Sequence, residues 1–165
     1  MADKVSKFRN GASRPQEPFS TPDELNRYIP YLITRLSSRW SINQNRDLNE
    51  LGISNVMVRI LSVLFIFRTL TINEIAAIAV ADQSVASRTI ETMVTAGLVE
   101  RRISETDLRR REIALTSSGK ALLRRAWPPL ASSYAQLVDG IDAEALTTTV
   151  ATLARMIENV QENWI

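Results

Sequence analysis

The sequence contains neither cysteine nor histidine. Without cysteine there is no disulfide, no thiolate nucleophile and no thiol redox switch. Without histidine the commonest general base is missing, as is the usual ligand for zinc, copper or iron. No segment clusters carboxylates as a calcium-binding loop does, so no metal and no cofactor are expected. Ser84, Ser87, Ser117 and Ser118 have no histidine to activate them, and Lys120 stands in no recognisable cofactor motif, which makes an enzyme the weakest reading. No apolar run reaches the roughly 20 residues of a membrane span, and the N-terminus lacks a secretory hydrophobic segment. A cytoplasmic protein is expected.

What is present is ordinary in amount and uneven in placement. The 165 residues are 45% hydrophobic and 23% charged, enough for one domain, or one domain with appended helices, around a sizeable core. The net charge of +2 says little, but its distribution is informative. From Arg88 to Arg125 there are nine basic and five acidic residues, whereas from Ala126 onward there is one basic residue against five acidic ones. A basic centre followed by an acidic C-terminal part suits contact with a polyanion through the centre.

That centre, Leu70 to Thr116, organises the chain. Thr71-Ile72-Asn73-Glu74 reads as a capping box opening a short helix with Ile75, Ala76 and Ala79 at helical spacing. Asp82 can cap a second helix from about Gln83 to about Thr95, in which Ala86, Ile90, Met93 and Val94 mark a buried face. Ser84, Ser87, Arg88 and Glu91 fall opposite, and Gly97 sits where the helix end needs a left-handed residue. Leu98–Arg102 and Arg111–Leu115 then pair as a hairpin, with Asp107, Leu108, Arg109 and Arg110 near its tip. Helix, turn, helix and ribbon in this order form a winged helix-turn-helix, which places one helix in a DNA groove. Short hydroxyls, the Gln83 amide and the forked Arg88 guanidinium suit base edges. An arginine-rich tip, with Asp107 two residues from Arg109 to hold it, suits a narrow electronegative minor groove. The same helix also reads as an ordinary amphipathic helix with a solvated side. Arg101 and Arg102 read equally as phosphate contacts or as a surface pair facing Glu100 and Glu112.

The flanks are helical. Residues 1–20 are polar and aperiodic and read as a flexible tail, solvated or touching DNA backbone. Thr21-Pro22-Asp23-Glu24 starts a helix carrying a stripe of Leu25, Ile29, Leu32, Leu36 and Trp40 to about Gln44, with Pro30 expected to bend it or split off its first turns. Leu48 to Ile53 is read as a connection, and Ser54 as the cap of a helix apolar nearly all round through Met57, Val58, Ile60, Leu61, Leu64 and Phe65, hence central and buried. Thr116 to Gly119 opens a long helix through Ala121, Leu122, Ala126, Leu130 and Tyr134, which Pro128-Pro129 should interrupt and kink. Asp142 caps a last helix whose Leu146, Val150, Leu153, Ile157, Val160 and Trp164 form a seam wanting a partner: the first helix of the same chain or a second copy.

The central residues resemble the MarR family of bacterial transcription regulators. The likeness is carried by Leu70-Thr71, Glu74-Ile75-Ala76, Ser87-Arg88, Gly97-Leu98-Val99-Glu100-Arg101-Arg102, Asp107-x-Arg109-Arg110, Ile113-x-Leu115-Thr116 and Gly119. It is close from about Ser54 to Leu123 and loose in the flanks. The resemblance implies a mainly α fold with a small β-hairpin wing, and family members dimerise through their terminal helices. The expected organisation is a tail over 1–20, an N-terminal dimerisation helix and connection over 21–53, the DNA-binding domain over 54–116 and C-terminal dimerisation helices over 117–165. The family's base-reading helix falls on Gln83 to Thr95 and its minor-groove arginine on Arg109, with Asp107 as partner. Here Arg109 to Arg111 are consecutive, a departure that lets Arg110 share the role.

The expected function is that of a homodimeric, sequence-specific regulator of transcription on a pseudo-palindromic operator in double-stranded DNA, with repression the family's commoner habit. DNA-contacting residues are expected at Gln83, Ser84, Ser87, Arg88, Arg101, Arg102, Asp107, Arg109 and Arg110. The family also implies release by a small effector, commonly an aromatic acid, bound where the dimerisation helices meet the winged lobe. Here that region would draw on Tyr28, Tyr31, Arg35, Arg39, Trp40, Arg59, Phe65 and Arg68. The rival is a winged-helix protein–protein module using the same surface on an acidic partner.

Overall fold

The computed structural model describes residues 19, 21–103 and 109–160. The chain divides into two units, one ending at Trp40 and the other beginning at Ser41. In the first, the Thr21 hydroxyl accepts from the Glu24 amide at 3.3 Å and Pro22 opens α1 (Pro22–Asn26). Pro30 splits the helix: α1 stops at Asn26 and α2 (Ile29–Asn49) begins one residue before Pro30. Its missing N–H thereby falls in a first turn, where no intrahelical partner is needed. Ile29, Leu32 and Leu36 of the anticipated stripe are all exposed.

Two expectations about the second unit are corrected at its start. Leu48 belongs to α2, not to a connection, because the helix continues to Asn49 and the backbone turns only at Gly52, with φ +67°. Leu48 is fully buried, in a small cluster with Ile53, Val58 and Ala126. Next, α3 (Asn55–Phe67), capped by Ser54, buries Val58, Ile60, Leu61, Val63 and Leu64, yet Phe65, Ile66 and Phe67 in its last turn are exposed. An apolar run states what a helix can bury; it does not supply a neighbour for every face.

After α3 come β1 (Thr69–Leu70), α4 (Ile72–Ile78), α5 (Gln83–Thr95), β2 (Val99–Ile103) and β3 (Arg111–Leu115). The expected hairpin forms, but its first strand lies one residue later than Leu98–Arg102: the ladder runs from Val99 opposite Leu115 to Ile103 opposite Arg111. Sequence reading missed β1, which pairs antiparallel with β3 and completes a sheet of order β1-β3-β2. Two residues are too few to display the alternation that marks a strand. Ile60, Leu61 and Leu64 of α3 pack with Ile75 of α4, Ile90 and Met93 of α5, and Val99, Ile113 and Leu115 of the hairpin in one buried cluster.

Both helices of the helix-turn-helix end in the same hydrogen-bonded motif. At α5 the Leu98 amide donates to Met93 O and the Gly97 amide to Val94 O, both at 2.9 Å, with Gly97 at φ +67°. At α4 the Ala81 amide donates to Ala76 O at 3.0 Å and the Val80 amide to Ala77 O at 3.2 Å. There the left-handed position is held by Val80 at φ +49°, a conformation that β-branched residues resist.

The hairpin hands over to α6 (Ser117–Leu137) through Thr116. Its hydroxyl accepts from the Gly119 amide at 3.1 Å and donates to the carbonyls of Gly97 and Leu98, at 2.7 and 3.0 Å. Pro128 and Pro129 do not interrupt α6; the helix continues through them, and the i−4 carbonyls of Arg124 and Arg125 simply lack those donors. The Ser133 hydroxyl donates to Asp47 Oδ2 at 2.7 Å. α7 (Ala143–Val160) is capped by Asp142, whose Oδ1 accepts from the Ala145 amide at 2.8 Å, and buries none of its residues. Its seam of Val150, Leu153, Ile157 and Val160 lies exposed, and Trp164 falls outside the described residues.

Two substitutions test this framework. A β-carbon at Gly119 would stand 2.1 Å from the Leu98 carbonyl oxygen, so Gly119→Ala is expected to cost at least about 1–3 kcal/mol in urea unfolding. Val80→Gly relieves the left-handed valine and is expected to raise stability by up to about 1 kcal/mol in the same assay.

Candidate nucleic-acid interface

The spacing of α5 separates its faces: Ala86, Ile90 and Met93 are buried, while Gln83, Ser84 and Arg88 are exposed and Ser87 is half-buried. Asp82 occupies the cap position but makes no side-chain hydrogen bond there, contrary to expectation. The start of α5 is tied instead to α4, by Gln83 Nε2 donating to Asn73 Oδ1 at 2.8 Å. Arg88 Nε donates to the Ser84 carbonyl at 3.2 Å, which lays the guanidinium stem back along its own helix.

The hairpin arginines fall into distinct environments. Arg101 pairs with Glu91 of α5, and Arg102 with Glu100 on its own strand. The anticipated facing of Arg102 with Glu100 therefore holds, but Arg101 meets α5 instead of Glu112, because successive strand residues point to opposite faces of the sheet. These pairs are between exposed side chains and contribute little to stability. Arg109 is exposed at the hairpin end, and its expected partner Asp107 lies outside the described residues.

Arg110 is drawn inward. Its Nη2 donates to both oxygens of Glu74, at 2.7 and 2.8 Å, and its Nε lies 3.0 Å from Glu112 Oε1. The latter contact is ionic, since the Nε–H finds no acceptor in line. Glu74 simultaneously completes the capping box: its Oε2 accepts from the Thr71 amide at 2.8 Å and from the Thr71 hydroxyl at 2.9 Å. The sequence identified Glu74 as a cap and missed its link to the hairpin; the only available signal was a capping carboxylate preceding an arginine-rich tip. Asn73 and Glu91 were missed for the same reason, their partners being ten residues away in sequence.

The residues expected to hold an effector are placed as follows. Tyr28, Arg35 and Arg39 are exposed, while Tyr31 and Trp40 are half-buried. Tyr28 packs against Phe19 with ring centroids 5.0 Å apart, and Arg35 Nη1 donates to Asn26 Oδ1 at 3.4 Å. Arg59, Phe65 and Arg68 are exposed, but Arg59 and Phe65 point about 120° apart around α3 and do not converge.

A helix-turn-helix followed by a two-stranded ribbon, with a polar helix face and an arginine-bearing tip, defines a winged helix-turn-helix protein. Comparison with known proteins agrees. A family model described as MarR family matches residues 51–110. The crystal structure of a MarR family transcriptional regulator from Silicibacter pomeroyi DSS is 33% identical, covers 90% of this chain and 100% of that one, and superposes with a TM-score of 0.82. A second MarR family regulator from Silicibacter pomeroyi is 30% identical over 86% of this chain and 95% of that one, with a TM-score of 0.77. An S. aureus MepR–DNA complex shares the fold at 23% identity, covering 81% of this chain and 97% of that one with a TM-score of 0.72. Comparison with curated proteins returns no match. The chain belongs to the MarR family of transcriptional regulators. Among the described residues no helix is long and apolar enough to cross a membrane.

The Glu74 carboxyl is held below its ordinary value of 4.5, first by the Thr71 backbone N–H, with the Thr71 hydroxyl and Arg110 adding to it and partial burial opposing. A depressed folded-state pKa gives stability that is present above the unfolded value and lost as pH falls through the folded one. The difference in unfolding free energy between the native chain and Glu74→Gln is therefore expected to be constant near neutral pH and to shrink below pH 4.5. Urea unfolding across a pH series measures it; a difference that persists to about pH 2 would contradict the assignment.

Proposed function

We propose that this regulator binds a pseudo-palindromic operator as a homodimer and represses transcription until a small aromatic anion releases it. The observation that carries the reading is the exposed polar face of α5, with its apolar face sunk in the same core that anchors the arginine-bearing hairpin. Each subunit inserts α5 into a major groove, the two insertions being separated by about 34 Å. Arg88 forks onto a guanine edge, and Gln83, Ser84 and Ser87 contact neighbouring bases. Arg109 enters the flanking minor groove with Asp107 orienting it. Arg101 and Arg102 exchange Glu91 and Glu100 for phosphate, which costs little because exposed pairs of this kind are worth about 0–1 kcal/mol. Arg110, already engaged by Glu74 and Glu112, braces the hairpin in this reading.

Two features support the remaining parts. The exposed apolar stripes of α2 and α7 suit burial against a second copy. Tyr31, Arg35 and Arg39 recur every fourth residue along α2, an arrangement of aromatic and cationic groups fit for an anionic ring compound, with Tyr28, Trp40, Arg59, Phe65 and Arg68 as further candidates. The S. aureus protein of the same fold is in complex with DNA.

The test is a footprint on the DNA upstream of the protein's own gene, at near-physiological salt and against random competitor. Two protected half-sites about one helical turn apart are expected. Arg88→Ala should then cost about 1–3 kcal/mol and relax one operator position. Protection abolished equally by the competitor would instead favour a protein partner for the same surface.

A further inference from the structure

Glu74 does more than cap a helix. A capping box requires one carboxyl oxygen and is satisfied by glutamine as well as glutamate. Here Oε2 already serves the Thr71 amide and hydroxyl, yet both oxygens also take hydrogen bonds from Arg110, 36 residues further along the chain. The negative charge therefore serves the hairpin as well as the helix.

The place of this contact matters. The last ladder pair of the hairpin is Ile103 with Arg111, so Arg110 stands one residue beyond the point where backbone pairing holds β3. Its guanidinium is fixed from two sides, by Glu74 at the start of α4 and by Glu112 on its own strand. Arg109 is its immediate neighbour, and α4 in turn is tied to α5 by the Gln83–Asn73 hydrogen bond and by shared burial of Ile75 and Ile90. An unbroken chain of contacts thus runs from α5 through α4 and Glu74 to the residue beside Arg109.

We infer that Glu74 is a positioning residue for DNA reading: through Arg110 it sets the hairpin arginine Arg109 at a fixed offset from the base-contacting face of α5. Glu74 touches no DNA in this arrangement. Its carboxylate fixes the separation between a major-groove reader and a minor-groove reader on one subunit. The inference rests on the DNA-binding reading above, and its test is built to fail separately.

In the full chain, Glu74→Gln keeps an acceptor for Thr71 while removing the charge that holds Arg110. Affinity for the footprinted operator is measured well below the unfolding midpoint of each variant. Glu74→Gln is expected to weaken binding about tenfold, and Arg110→Gln to do the same. The loss should disappear in an Arg109→Ala background, where there is no wing contact left to misplace, and persist undiminished in an Arg88→Ala background. A merely structural role of Glu74 predicts equal loss in both backgrounds, and that result overturns the inference. So does an unchanged Glu74→Gln affinity while Arg88→Ala and Arg109→Ala both weaken binding. Absence of any operator footprint from the native chain removes the DNA-binding reading itself, and a footprint indifferent to both arginine substitutions removes Arg88 and Arg109 as its contacts and the inference with them.

Discussion

The carbonyl of Leu98 is the point on which the winged half of this protein turns. It accepts from the Thr116 amide at 3.1 Å and from the Thr116 hydroxyl at 3.0 Å, while Gly119 crosses so close that no side chain fits between. Three elements meet at this atom: α5 has ended at Thr95 and turned at Gly97, β2 is about to begin, and α6 starts beside it. The hydroxyl of Thr116 caps α6 and at the same time ties it to the Gly97 carbonyl just past the end of α5. One short polar side chain and two glycines thereby fix where α5, the ribbon and the long helix α6 lie relative to one another. Loss of the close approach would not simply remove a hydrogen bond. It would free α6 from the element that faces DNA in the proposed complex.

The hairpin illustrates how a basic surface is kept orderly before it meets a partner. Arg101, Arg102 and Arg110 are engaged by Glu91, Glu100, Glu74 and Glu112. Exposed ion pairs of this sort add little to folding free energy, so the fold does not depend on them. Their effect is on pose. A guanidinium already held by a carboxylate has lost part of its rotamer freedom, so less entropy remains to be lost on binding. The pairs also differ in kind. Those of Arg101 and Arg102 are open to exchange with phosphate, whereas Arg110 is held at both oxygens of a carboxylate that also closes a helix cap, a site with less reason to open.

Much of this was legible in the sequence because it is local. The capping box at Thr71, the Ser54 and Thr116 caps, the α5 bounds and the left-handed Gly97 all depend on residues within a turn or two, and the structure realises each. The two runs of the hairpin were legible as well, although the first strand lies one residue later than read, at Val99–Ile103 in place of Leu98–Arg102. What was missed is non-local or too short to carry a pattern. β1 has two residues and exists because β3 offers an edge. Val80 occupies a position that glycine usually announces, so the turn of the helix-turn-helix has no sequence signature. The partners of Arg101 and Arg110 were beyond reach because they depend on how α4 and α5 pack beside the hairpin. At Pro30 the two alternatives, bend or split, were both open to sequence, and the split prevailed because it leaves proline in a first turn.

The distribution of burial separates two jobs within the chain. The cluster formed by α3, α4, α5 and the sheet is closed, with Ile60, Leu61, Ile75, Ile90, Met93 and Ile113 inaccessible to solvent. Helix α7, by contrast, carries a regular apolar seam and buries nothing, and the stripe on α2 is open at Ile29, Leu32 and Leu36. An amphipathic helix derives most of its stability from covering its apolar face. A long helix with no cover is therefore incomplete in a way that the winged core is not. The dimer proposed above resolves this asymmetry, because it gives the seam a partner without disturbing the polar face of α5. It also makes the spacing of two such faces a property of the helices least stabilised by their own chain. In the proposed complex, dimerisation and readout thus fall to parts of the chain whose burial differs for a physical reason.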